Sequence, residues 1–71
     1  MNKERKSKLI EIIRKLTIYR ALETNEESKN FITMTIDNIN ENIKLDNNVN
    51  LEYVSVLEKI VEEFEEFEDE F

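Results

Sequence analysis

Residues 51–71 read LEYVSVLEKIVEEFEEFEDEF, and the spacing inside this stretch decides the fold. Tyr53, Leu57, Ile60, Phe64, Phe67 and Phe71 follow one another at intervals of 4, 3, 4, 3 and 4. That period belongs to one face of an α-helix and not to the alternation of a strand. The same stretch carries nine acidic side chains and one lysine, so the helix it predicts has an apolar edge and a strongly negative back.

Working outward, residues 45–50 (LDNNVN) form a turn. Short Asp and Asn side chains bond their own backbone and tolerate left-handed geometry, and Asn48 or Asn50 is placed to cap the helix that follows. Before the turn, Ile32, Ile36, Ile39 and Ile43 repeat at helical spacing, with Phe31 and Met34 beside them. Thr33, Thr35, Asp37, Asn38, Asn40 and Asn42 are poor helix formers, so this segment depends most on packing. Thr24-Asn25-Glu26-Glu27 reads as a capping box, the Thr24 hydroxyl accepting from the Glu27 amide and the Glu27 side chain reaching back. Upstream, Leu9, Ile12, Ile13, Leu16 and Tyr19 share a face that Ile10, Ile18 and Leu22 widen, and Glu11 stands four residues before Lys15 as a helix ion pair. The expected architecture is all-α: one domain over residues 1–71, an antiparallel three-helix bundle with helices at about 3–22, 25–44 and 51–69. A helical hairpin whose third helix reaches another chain is the alternative.

Composition narrows the function. The chain has 71 residues with no glycine, proline, cysteine or histidine. So short a chain buries only about 60% of its unfolded surface. Without disulfides, stability must come from well-packed helices or from self-association. Apolar runs never exceed two residues, which excludes a membrane span and a secretory leader and makes the cytoplasm the expected compartment. The Asn, Lys, Ile and Glu bias fits an AT-rich coding sequence, as in a low-GC bacterium or a phage or plasmid within one.

Charge is split along the chain. Residues 1–23 hold seven basic and three acidic side chains (net +4), residues 24–50 are at −3 and residues 51–71 at −8, for a total of −7. Side by side, the first and third helices would neutralise part of this, each exposed pair adding roughly 0–1 kcal/mol.

Catalysis has no foothold. Ser7, Ser28 and Ser55 are isolated, neither His nor Cys is present to serve as base or nucleophile, and no glycine-rich phosphate loop exists. No cofactor or metal site is expected. Asp46-Asn47-Asn48-Val49-Asn50 resembles the start of a calcium loop, but Leu51 stands where glycine is needed and Leu57 where a bidentate glutamate is needed.

The leading expectation is a small, non-enzymatic acidic regulator or inhibitor that binds a protein with a basic surface. The subclass is a phage-type inhibitor whose carboxylates imitate the charge of DNA and block a nucleic-acid-handling host protein. The residues expected to carry it are Glu62, Glu63, Glu65, Glu66, Glu68, Asp69 and Glu70, with Phe67 and Phe71 as apolar anchors. One alternative is a structural homo-oligomer or homodimer zipped through the Tyr53–Phe71 seam. Another is a DNA-binding regulator whose first helix contacts phosphates through Lys3, Arg5, Lys6, Lys8, Arg14 and Lys15. The overall charge opposes direct nucleic-acid binding, and a membrane partner is not expected.

Overall fold

The computed structural model describes residues 1–69, and of Phe67, Glu68 and Asp69 it describes the backbone alone. Among the described residues there are three helices: α1 (Lys3–Leu22), α2 (Glu26–Lys44) and α3 (Leu51–Asp69). They form a small all-α bundle in which α1 packs against both of the others. Among the described residues, no Cα of α2 comes within 8 Å of one in α3, so the α2/α3 seam is the open side. The radius of gyration is 12.3 Å. A compact chain of this length would give about 11 Å. The difference reflects an elongated body of 36 × 20 × 16 Å, its long axis set by the helices.

The core is one apolar cluster: Leu9, Ile12 and Leu16 from α1, Ile32 and Ile39 from α2, and Val54, Leu57 and Val61 from α3. The helical repeats of α1 and α2 therefore point inward as their spacing predicts. On α3 the axis of burial is rotated from the expected seam. Val54, Leu57 and Val61 lie deepest, whereas Tyr53, Ile60 and Phe64 are half-buried on the flank toward α2. The reason is geometric. A helix packed chiefly on α1 buries the side facing α1, and the larger aromatic side chains take the wider gap beside α2. Ile10, Ile18 and Leu22, expected to widen the core, remain exposed because α2 and α3 cover only one side of α1, and Phe31 and Met34 remain exposed because α2 packs closely on α1 alone.

Each turn is built from polar side chains in place of glycine. Asn2 caps α1, its Oδ1 accepting from the amides of Glu4 and Arg5 at 2.8 and 3.3 Å. The Thr24–Glu27 capping box does not form. Asn25 is the cap of α2, accepting from the Ser28 amide at 3.0 Å, while Glu23 Oε1 accepts from the amides of Thr24 and Asn25 at 3.1 and 3.0 Å. The Glu23 carboxylate ties up the amides at which a Thr24 cap would begin, and this moves the helix start on by one residue. Thr17, Thr33 and Thr35 bond the carbonyls four residues back, which satisfies their hydroxyls within the helix.

The end of α2 is a Schellman motif. Asp46 adopts φ 53, the Asn47 amide bonds the Asn42 carbonyl at 2.9 Å, and the Asp46 amide bonds that of Ile43 at 3.1 Å. Aspartate, one of the residues the turn offers for left-handed geometry, holds this position, and its carboxylate Oδ1 accepts from the Met1 ammonium at 2.7 Å. Asn50 caps α3 through the Tyr53 amide at 2.8 Å.

Candidate interaction surface

Four faces of the bundle carry charge or unburied apolar area. Between α1 and α3, Lys8 and Lys15 from one helix line a groove with Glu58, Glu62 and Glu65 from the other. The two helices run parallel, so the charge split expected from sequence is partly met within the chain. Lys15 Nζ lies 3.5 Å from Glu65 Oε1. The expected Glu11–Lys15 pair does not form. Lys15 turns to α3 instead, and Glu11 pairs with Arg14 at 3.6 Å.

The cations of α1 do not assemble into one stripe. Arg5 donates to the Val49 carbonyl at 2.8 Å and holds down the loop before α3. Arg14 and Lys15 are paired as above; Lys3 and Lys6, three residues apart, share a side with Arg14, while Lys8 lines the groove beside α3. A phosphate backbone along one side would meet only part of the set.

On α3 the acids divide by position. Glu65 is half-buried and paired, but Glu52, Glu58, Glu62, Glu63 and Glu66 are exposed, and none makes an ion pair among the described residues. Glu58, Glu62 and Glu66 stand at i, i+4 and i+8, which sets like charges about 6 Å apart along the axis. Phe64 is not a free anchor: its ring stacks on Tyr19, centroids 5.7 Å apart and planes 18° from parallel. The side chains of Phe67, Glu68 and Asp69, and the whole of Glu70 and Phe71, lie outside the described residues.

The α2/α3 seam differs at its two ends. Near the second turn it is closed by hydrogen bonds. The Tyr53 hydroxyl donates to Asn38 Oδ1 at 2.6 Å and accepts from Asn42 Nδ2 at 3.1 Å, and Asn47 Nδ2 donates to Asn42 Oδ1 at 2.8 Å. The asparagines that weaken α2 as an isolated helix are thus its polar clasp onto α3. At the other end the seam opens into a groove of about 470 Å³ walled by Phe31, Ile60 and Phe64, with Glu23 and Glu63 at its rim. Sequence reading missed this groove, because Phe31 and Ile60 are each ordinary core candidates until the two helices are seen to stand apart.

Among the described residues no group of His, Cys, Asp and Glu is arranged to hold a metal ion, and no helix is long and apolar enough to cross a membrane. Asp46, the one acid of the calcium-like segment, has its carboxyl held below the ordinary value by the hydrogen bond from Met1 and by that ammonium's charge; Lys6 adds to the effect. Comparison with known protein families, with curated proteins and with solved structures finds no match for this chain.

Proposed function

We propose that the protein is a non-enzymatic binding module whose acidic α3 face docks on a basic surface of a partner protein and blocks it. One observation supports this reading above the others: Glu58, Glu62 and Glu66 repel one another along α3, and Lys8 and Lys15, set against Glu58 and Glu62 across the groove, offset only part of that charge. Like charges at i and i+4 destabilise a helix by about 0.2–0.5 kcal/mol per pair, and Glu58, Glu62 and Glu66 make two such pairs. The last turn of α3 has no basic residue, so its acids also sit at the negative end of the helix dipole. A row of charge that works against its own helix is best explained by an external partner. The earlier list of contact residues shifts accordingly. Glu62, Glu63 and Glu66 stay, Glu58 joins them, and Glu65 is partly committed to Lys15.

A nucleic-acid-handling protein is the partner class this charge suits, since a groove built for phosphates accepts a regular row of carboxylates. The DNA-binding alternative has less support, because the cations of α1 are dispersed and partly paired. The test is affinity capture from a bacterial host extract with wild type and with the Glu58→Gln, Glu62→Gln, Glu66→Gln triple variant. A captured basic protein that is lost with the triple variant and displaced by duplex DNA supports the reading. Capture that is indifferent to the three substitutions overturns it.

A further inference from the structure

The exposed side of α1 carries a second apolar stripe that the monomer does not use. Ile10, Ile18 and Leu22 are 44%, 55% and 58% exposed, and Arg14 stands between them with Lys3 further along the same side. A surface helix ordinarily has one apolar face; α1 has two, and only one is covered. On the opposite side of the bundle the α2/α3 groove is also uncovered. Phe31 at its α2 edge is 49% exposed, Ile60 and Phe64 wall its α3 side, and Glu23 and Glu63 ring it with negative charge.

We propose that the outer stripe of α1 seats in the α2/α3 groove of a second copy of this chain. Charge selects this pairing over the symmetric ones. Stripe against stripe would bring Lys3, Lys6 and Arg14 up to their own copies, with Glu4 and Glu11 offsetting only part of that charge, and groove against groove would do the same with Glu23 and Glu63. Stripe in groove instead sets Arg14 near Glu63 and Ile18 beside Phe31. The size of the core favours it too, since eight buried side chains among the described residues are few for a free-standing domain. The stripe and the groove face opposite ways, so the contact runs head to tail. It closes only as a ring and otherwise extends. Glu58, Glu62 and Glu66 line neither surface and stay available, and Glu63 is the one acid that both readings use; the triple variant tests the function proposed above and Glu63→Lys tests this inference.

Sedimentation over a wide concentration range tests it. The mass should rise above 8.6 kDa without levelling at two copies, and added salt should lower it. Arg14→Glu and Glu63→Lys should each return the protein to monomer, and an equimolar mixture of the two should regain assembly, since each then meets an opposite charge. Ile18→Asp should also give monomer with helicity retained; if it loses helicity, Ile18→Ser replaces it. A wild type that is monomeric throughout overturns the proposal. So does an assembly that Ile18 variants break while the charge variants leave it intact, or one that the mixture fails to restore.

Discussion

The two ends of the bundle are built on different chemistry. At the end that gathers the start of α1, the close of α2 and the start of α3, polar groups tie the elements to one another. Met1 holds Asp46, Arg5 holds Val49, and Tyr53 is clasped between Asn38 and Asn42. At the far end the seam between α2 and α3 gapes over Phe31, Ile60 and Phe64, and among the described residues Glu65 is the one acid of α3 in an ion pair, with Lys15. One end is spent on holding the helices together. The other leaves apolar rings and negative charge uncommitted. On the function proposed above, the chain localises stability and contact in different places, which keeps a binding face from being consumed by the core.

The largest effect should come from cutting the core at each end in turn. Leu9→Ala, fully buried near the stitched end, should lower unfolding free energy by about 2–5 kcal/mol, enough to leave a chain of this size largely unfolded. Phe64→Ala, half-buried at the open end, should cost only about 1–2 kcal/mol. Urea titrations followed by circular dichroism compare them, and equal losses would mean that the ends do not differ.

The clasp comes next. Tyr53→Phe removes the hydroxyl that joins Asn38 and Asn42 and should cost about 0.5–1.5 kcal/mol. The cap positions make a similar contrast at the open end. Asn25→Ala should cost about 1 kcal/mol, whereas Thr24→Ala should change stability by less than about 0.5 kcal/mol. A reversed order in the same titration would restore Thr24 as the cap.

A smaller effect of opposite sign is expected on α3. Glu66→Lys turns a repulsive pair with Glu62 into an attractive one and places a cation at the negative end of the helix, so it should stabilise by roughly 0.3–1 kcal/mol. The same change should weaken partner capture. Loss of both stability and capture would mean that Glu66 is structural.

The smallest effect is visible only against pH. Asp46 has its folded-state value lowered by Met1, so its contribution is complete above the unfolded carboxyl's value of about 3.9. It is lost as pH falls through the lower folded value. Asp46→Asn keeps a residue that accepts positive φ. The stability difference between wild type and this variant should be constant from neutral pH down to about 4 and should vanish on further acidification. A difference that grows with acid would contradict the ion pair.

Much of this was legible in the residues. Helical spacing placed all three helices, at 4, 3, 4 in α2 and α3 and at offsets of 3, 4, 7 and 10 from Leu9 in α1, and the asparagine-rich stretch placed the second turn and narrowed the cap of α3 to Asn48 or Asn50, of which Asn50 serves. What eluded sequence reading has a common cause. The Thr24 box failed because the Glu23 side chain competes for the same amides. The α3 seam was displaced because a stripe of six residues does not reveal which flank a neighbour will cover. The roles of Asn38 and Asn42 were hidden because a poor helix former and a side-chain hydrogen-bond partner are the same residue.

By itself, then, the sequence determined that this is a helical chain, where each helix begins and ends to within a residue, and that its negative charge collects at the carboxyl end. Those properties follow from local periodicity and composition, which act within a few residues. Only the tertiary structure decided that α1 is the shared partner of the other two, that α2 and α3 stand apart over an open groove, and that α1 keeps a second apolar stripe uncovered. Such features depend on which faces meet across the bundle, and that is settled by side-chain volume at contacts between residues far apart in the chain.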